Sequence, residues 1–321
     1  MTHSKSCGRF APTPSGRMHL GNILCAMLSW LSVRSRGGRY ILRIEDLDAE
    51  RCPRALADQI EDDLRWFGLD WDDGGSDGGD AWYQSCRSSV YETYEARLRE
   101  RGLLYPCFCS RAELHAAQAP HRSDGTYVYA GTCRGLTAEQ IREKSRKRGA
   151  ATRLIVPDET VFFEDGCQGW YEENLARDCG DFIIRRSDGV YAYQLAVVVD
   201  DGEMGVTEVV RGQDLIGSTA RQMYLYRLFG FAVPQFYHIP LLTAPDGRRL
   251  SKREKDLDLG VLRKAFGRPE PILGMLAKAC GLRETARPIS LPELAEGFDW
   301  SRIPKHDLAL PSEILQVVNF S

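Results

Sequence analysis

The spacing of apolar and polar positions changes character along the chain, and the changes predict its elements. Gly8 to Ala11 reads as the end of a short buried strand, which Pro12, Pro14, Ser15 and Gly16 stop in a turn. Leu24, Met27, Leu28 and Leu31 follow at the spacing of a helix face that is buried. Arg39 to Ile44 alternates as a strand and runs into Glu45-Asp46. Pro53 opens a helix at its first turn, with Ile60, Leu64 and Phe67 inward and Gly68 as the stop. The Gly/Asp-rich stretch Asp72 to Asp80 reads as a surface loop, and a further helix is expected from Val90 to Arg101, ended by Gly102. Strands alternating with helices in this way predict a parallel sheet with crossover connections.

At Leu104 the pattern shifts. Strand-like runs are expected at Arg153 to Val156, Thr160 to Phe163, Phe182 to Arg185 and Tyr191 to Val199. The alternation then returns: a strand through Glu208 to Arg211, a helix from Ser218 (its cap) to Phe229 with Gly230 as the stop, and a last buried strand from Phe236 to Leu242. After a turn at Pro245-Asp246-Gly247, helices are expected at Leu259 to Phe266, Glu270 to Cys280 and Leu291 to Phe298. The expected organisation is therefore half of a sheet domain over 1–105, an insertion over 106–190, the second half over 191–256 and a short helical tail over 257–321.

Composition narrows the class. An apolar fraction of 43% and a charged fraction of 27% are those of a soluble globular protein, and no apolar run approaches the roughly 18 residues of a membrane span. Met1 to Cys7 is too short and polar for a secretory signal, so the cytoplasm is expected. Most of the ten cysteines are scattered singly, as reduced core thiols are. A net charge of −3 excludes a broad nucleic-acid coat, although not a local basic groove. The cations between Arg142 and Arg148 read as a solvated helix end.

Three places carry candidate chemistry. In Arg9 to Asn22, a strand, a Pro/Gly turn and a helix N-terminus form a cradle for phosphate, with the first-turn N–H groups facing a crevice. His19 there can donate to a phosphate oxygen, and Gly21 permits close approach; the alternative is an ordinary turn capped by Ser15 with a surface histidine. Arg248 to Arg253 is a basic loop able to hold nucleotide phosphates. Cys107, Cys109 and Cys133 offer three thiolates, one short of a structural zinc site, with His115 or His121 as candidates for the fourth ligand.

His19-Leu20-Gly21-Asn22 and Arg249-Leu250-Ser251-Lys252-Arg253 together resemble the two signatures of class I aminoacyl-tRNA synthetases. Arg9 to Gly16, Arg43-Ile44-Glu45-Asp46-Leu47-Asp48 and Val209 to Leu215 resemble the glutamyl/glutaminyl branch. The resemblance implies an α/β class I catalytic domain with a Rossmann-like parallel sheet and an acceptor-binding-like insertion. It implies activation of L-glutamate by ATP with Mg²⁺, with His19 and Lys252 serving the transition state. ATP would meet His19, Gly21, Asn22, Ser251 and Lys252. Glutamate would meet Arg9, Phe10, Ala11, Pro12, Thr13, Glu45, Tyr193 and Arg211. One departure is Asn22, where the first signature usually has a second histidine.

Little chain follows Lys252, too little for the anticodon-binding region of a glutamyl-tRNA synthetase. The chain accordingly resembles the short paralogues of that enzyme, the glutamyl-Q tRNA(Asp) synthetases. That resemblance implies glutamate activation without tRNA and transfer to queuosine in tRNA(Asp), by a monomer with no membrane partner. It also implies a zinc module over 106–134 with Cys107, Cys109, Tyr129 and Cys133 as ligands, Tyr127 being the fallback. Two other readings are a truncated glutamyl-tRNA synthetase and a silent RNA-binding paralogue. Intact His19, Lys252 and Arg211 argue against the last.

Overall fold

The computed structural model describes residues 6–110, 113, 128–244, 247 and 259–318, with side chains described to 315. Strand β1 (Cys7–Phe10) enters helix α1 (Leu20–Arg34), which returns to β2 (Arg39–Leu42). The strands pair in parallel, from Cys7 opposite Arg39 to Phe10 opposite Leu42. Leu24, Met27, Leu28 and Leu31 are all buried, as their spacing requires. Helices α2 (Arg54–Trp66) and α3 (Ser88–Glu100) follow close to their expected limits, with Pro53 one place earlier than expected, at the N-cap.

The stretch Asp72 to Asp80 is not only a loop. Asp73–Gly74 forms a short edge strand, β3, parallel to β2. Gly74 makes the pairing possible: its φ is +99°, and a Cβ there would stand 1.9 Å from the carbonyl oxygen of Leu42. Two residues of strand inside a Gly/Asp run leave no hydrophobic alternation to read.

Beyond α3, β4 (Leu104–Cys107), β5 (Ala151–Leu154) and β8 (Phe182–Arg185) form an antiparallel sheet. A separate hairpin, β6 (Thr160–Asp165) with β7 (Gly169–Asn174), is paired from Thr160 opposite Asn174 to Asp165 opposite Gly169. Strand β7 escapes the sequence pattern because its sequence, GWYEEN, has few apolar residues and a solvated outer face. The hairpin end lies against β10 (Gln235–Ile239), where the Gly166 N–H donates to the carbonyl of Phe236 at 2.8 Å. A Cβ at Gly166 would stand 2.1 Å from the Tyr237 ring.

The apolar run Tyr191 to Val199 is mostly helical, not a strand: Tyr193–Glu203 forms a helix. Leu195 to Val199 are buried with no solvent face, so the run carries no period, and helix and buried strand look alike. Strand β9 (Glu208–Gly212) pairs in parallel with β10 and lies beside β1, the Thr207 N–H donating to the carbonyl of Cys7 at 2.8 Å. The parallel strands thus run β3-β2-β1 and then β9-β10, the two halves meeting between β1 and β9.

Ser218 stands at the N-cap of the helix Thr219–Phe229, as expected, but its side chain makes no capping hydrogen bond. A 3₁₀ turn over Gln213–Ser218 leads into the helix, and the Ser218 hydroxyl accepts from Gln194 Nε2 at 3.0 Å. Gly230 does end that helix, in the left-handed conformation. The strand expected from Phe236 to Leu242 is two: Pro240 ends β10, and β11 (Leu242–Thr243) pairs with β12 (Leu308–Ala309). Helices occupy Leu259–Phe266, Glu270–Ala279, Leu291–Ala295 and Ser312–Val318, the third being shorter than expected. Of the expected turn, Pro245 and Asp246 lie outside the described residues. Among the described residues no helix is long and apolar enough to cross a membrane.

An ionic cluster occupies the centre. Arg43 Nη1 donates to Asp201 Oδ1 at 2.6 Å, and Arg9 Nε donates to the same oxygen at 3.1 Å. Arg43 Nη2 reaches Glu45 Oε1 at 3.1 Å, and Arg87 Nε reaches Asp200 Oδ1 at 2.7 Å. Although burial works against its charge, Arg43 and Arg9 hold the Asp201 carboxyl below its ordinary range. Removing one partner of such a group strands the others without compensation. Asp201→Ala should therefore lower unfolding stability by about 3–5 kcal/mol in urea titrations.

Candidate active site

A cavity of about 480 Å³ opens over the C-terminal ends of β1, β2, β9 and β10, where open parallel sheets bind ligands. Chain from two distant parts of the sequence meets there. Arg9, Phe10, Ala11, Pro12 and Thr13 line one wall, as the end of β1 and its turn. His19, Gly21 and Asn22 line it from the start of α1, while Glu45, Tyr193 and Arg211 come from three other elements. Ser251 and Lys252, with the rest of the basic loop, lie outside the described residues. Asp46, next to Glu45, points elsewhere: it is buried and accepts from the Ser85 N–H and hydroxyl at 2.9 and 2.6 Å.

At the α1 end the cap is His19 itself and not Ser15. His19 Nδ1 accepts from the Gly21 N–H at 3.1 Å, and Asn22 Oδ1 accepts from the His19 N–H at 3.1 Å. Bonding through Nδ1 puts the ring proton of neutral His19 on Nε2, making that atom the donor. Asn22 uses its oxygen on the backbone and keeps an NH₂ group as donor. The first-turn N–H groups are partly spent locally, since Gly21 N–H goes to the imidazole and Asn22 N–H to the His19 carbonyl at 2.9 Å. Side-chain donors therefore supplement the helix terminus as an anion site. A Cβ at Gly21 would stand 2.9 Å from the His19 ring, so the glycine also makes room for the imidazole.

The opposite end is built on Arg211, from β9. Its Nε donates to His238 Nε2 at 2.9 Å and its Nη2 to Thr219 Oγ1 at 2.9 Å. Nη1 donates to Gln222 Oε1 at 2.7 Å and to the Tyr193 hydroxyl at 3.3 Å. None of these four partners is a carboxylate. Arg9 differs: Asp201 already holds its guanidinium, and the cluster around it sets Arg9, Arg43 and Arg87 against Asp200, Asp201 and Glu45. The two arginines expected to share one task thus stand in different electrostatic situations. Burial raises the Glu45 carboxyl above its usual range, against the pull of Arg43 and Arg9.

His238, Asp165, Thr219, Gln222, Asp200 and Asp201 were not picked out by sequence reasoning. Each is buried within an apolar or helical run where one polar residue carries no period. A signal existed only in the adjacent pair Asp200-Asp201 closing a long apolar run, since acidic residues are rarely buried unless paired.

Away from the cavity, the sulfurs of Cys107, Cys109 and Cys133 lie within 4.8 Å of one another and could hold a metal ion. The Tyr129 hydroxyl joins them, 3.5 Å from Cys107 Sγ and 3.8 Å from Cys109 Sγ, and accepts from the Cys133 N–H at 2.8 Å. Burial, then the charge of Cys107, pushes the Cys109 thiol up to about 12, and a bound cation would favour its thiolate. Three sulfurs and a phenol oxygen converging from two chain segments fit a soft divalent ion. His115, His121 and Tyr127 lie outside the described residues. Lys144, Arg146, Lys147 and Arg148 are exposed, at and after the helix Ala138–Ser145.

Residues 7–302 match the family described as tRNA synthetases class I (E and Q), catalytic domain. The glutamyl-Q tRNA(Asp) synthetase of Symbiobacterium thermophilum is 48% identical over 319 residues, covering 98% of each chain. That of Nitratidesulfovibrio vulgaris is 43% identical over 312 residues, covering 96% of each. A glutamate tRNA ligase from Elizabethkingia meningosepticum, solved in complex with its amino acid, superposes with a TM-score of 0.80 at 26% identity; the match covers 98% of this chain and 69% of that one.

The His238 ring gives the site a pH signature. Burial, then the charge of Arg211, lowers its pKa from 6.5 to about 4, against the opposing pull of Asp165. The unfolded chain therefore takes up the proton first. Stability from the neutral ring is complete above pH 6.5 and is lost as pH falls toward 4. Urea midpoints should fall over this interval by an amount worth roughly 3 kcal/mol, and His238→Gln should fall less steeply.

Proposed function

Because the chain belongs to the class I glutamyl/glutaminyl-tRNA synthetase family, and within it to the glutamyl-Q tRNA(Asp) synthetases, we propose that it activates L-glutamate with ATP in the absence of tRNA and transfers it to queuosine in tRNA(Asp). The observation that carries the amino-acid half is Arg211. Its guanidinium is buried at one end of the cavity and its four direct hydrogen-bond partners are neutral, which suits it to receive an anionic ligand. A glutamate side-chain carboxylate is such a ligand, with the Tyr193 hydroxyl beside it. The partly buried Glu45 carboxylate takes the α-ammonium, and Arg9 to Thr13 shape the intervening wall. Arg9, already paired with Asp201, acts through shape and field more than as a direct partner.

In the first step an α-carboxylate oxygen of glutamate attacks the α-phosphorus of ATP. A new P–O bond forms, and the bond to the β-phosphate bridging oxygen breaks with its electrons leaving on pyrophosphate. The chain's contribution is alignment and charge stabilisation. His19 Nε2–H and the Asn22 amide donate to phosphate oxygens, Gly21 allows the close approach, and Ser251 and Lys252 hold the leaving phosphates. Mg²⁺ arriving with ATP shields phosphate charge. In the second step a hydroxyl of the queuosine cyclopentene-diol attacks the adenylate carbonyl, an ester forms and AMP departs. Near-complete overlap with the glutamyl-Q relatives, at 98% of both chains in one case, supports this acceptor. We take the enzyme to act in the cytoplasm, where tRNA and ATP are found, and as a monomer.

We assign zinc to Cys107, Cys109, Tyr129 and Cys133, where it would cross-link the end of β4 to the 129–133 segment. Metal analysis should find one zinc per chain, lost in Cys107→Ser; an active, metal-free protein would refute the assignment.

ATP–pyrophosphate exchange should require glutamate and no tRNA. Radiolabelled glutamate should then pass to tRNA(Asp) containing queuosine and not to tRNA(Asp) lacking it. Exchange seen only with tRNA(Glu) would instead favour 3′-end charging, and no exchange under any condition would favour a silent RNA-binding paralogue. Arg211→Ala should raise the glutamate KM by roughly 100-fold or more in the exchange assay, as expected when a charged hydrogen-bonding partner is lost.

A further inference from the structure

We infer that Asp165 and His238 form a positioning pair that sets the Arg211 guanidinium for a carboxylate ligand, although neither residue lines the cavity. This rests on the glutamate reading above.

Asp165 closes β6, and its side chain is fully buried, as is that of His238 on β10. The carboxylate is saturated with donors. Oδ1 accepts from the N–H groups of Cys167 (3.0 Å), Gln168 (2.8 Å) and His238 (3.0 Å), and Oδ2 lies 2.5 Å from His238 Nδ1. Although burial opposes ionisation, the bond from His238 and the backbone donors hold the Asp165 carboxyl below its ordinary range. An ionised carboxylate only accepts, so Nδ1 carries the ring proton and Nε2 presents a bare lone pair.

That lone pair faces Arg211. The guanidinium has no acceptor, so its Nε–H must be the donor in the 2.9 Å contact with His238 Nε2. The other tautomer would set two N–H groups against each other. Thr219 Oγ1, 3.2 Å from Nε2, accepts from Arg211 Nη2 and so fixes a second edge of the guanidinium. Two consequences follow. The guanidinium plane is fixed at Nε, Nη1 and Nη2 by neutral acceptors, and the imidazole stands between the cation and the Asp165 carboxylate, so the two do not pair directly. The pair therefore aims the cation while leaving it without a direct carboxylate partner. The anchor of this arrangement comes from the hairpin of the middle region, so the pocket depends on how that hairpin seats against β10.

Comparison of two variants at position 238 tests the assignment. In His238→Gln the amide oxygen can stand near the place of Nε2 and accept from Arg211 Nε. In His238→Asn the shorter amide stands near the place of Nδ1, so it can keep a contact with Asp165 and leaves Arg211 Nε without its acceptor. ATP–pyrophosphate exchange should show the glutamate KM raised roughly 10- to 100-fold in His238→Asn and within about 5-fold of wild type in His238→Gln. The KM for ATP should move by no more than about 2-fold in either, since His19 lies at the other end of the cavity. If the pair served only to pin the hairpin to β10, the order would reverse, with Asn tolerated and Gln damaging. That order overturns the inference, as do equal effects in both variants or a matching rise in the ATP KM. An inactive wild-type protein would instead remove the glutamate reading and this inference with it.

Discussion

The shared carboxylate of Asp201 is the contact on which the rest of the molecule depends. It takes Arg43 from the segment after β2 and Arg9 from β1, and itself sits in the helix Tyr193–Glu203, far along the chain. Guanidiniums buried this deeply would be untenable without compensation in the same place. The cluster therefore fixes the relation of the first half of the sheet to the helix packed on it. Asp200, adjacent in sequence, extends the anchoring to Gln84, Arg87 and Tyr91. A pair of consecutive helical acids thus gathers Arg9, Arg43, Gln84, Arg87 and Tyr91 from separate segments of the first hundred residues.

The same cluster decides what the cavity asks of a ligand. It pairs Arg9 and Arg43 internally, whereas Arg211 hydrogen-bonds to four neutral groups, on His238, Thr219, Gln222 and Tyr193. Structural charges and ligand-seeking charge are separated over a short distance within one cavity wall. At the other end, the His19 cap makes a helix terminus into a set of side-chain donors. In the proposed reading an anionic side chain and a polyphosphate are received at opposite ends, with Arg9 to Thr13 between them. Such an arrangement lowers an activation barrier by alignment and needs no covalent nucleophile.

Legibility from the sequence varied with the kind of signal. Helix α1 was readable from the spacing of Leu24, Met27, Leu28 and Leu31 after a Pro/Gly turn, and the helices ended by Gly68, Gly102 and Gly230 from their stops, because a left-handed stop is a local property. Tyr193–Glu203 was misread because burial on all sides erases periodicity. Strand β3 was misread because neighbouring chain, not local composition, sets the conformation there. The cavity-lining residues were nameable because the motifs carrying them are contiguous. Their supporting shell was not, since Asp165, Gln222 and His238 are buried polar residues whose partners lie far away in the chain.

By itself the sequence determined the class of fold and the family, since five short motifs in a set order over one chain leave little freedom. It also named the turn Arg9 to Asn22 as a place for phosphate, and the cysteines 107, 109 and 133 as a group, because such chemistry needs particular residue types at close spacing. Only the tertiary structure decided which arginine pairs with a buried carboxylate and which is held by neutral groups at the cavity. It likewise made His19 the cap of its own helix and tied Arg211 to a carboxylate on a distant hairpin. Those outcomes depend on distances of a few ångströms between residues far apart in the chain, and electrostatic pairing in a buried site is set by such distances.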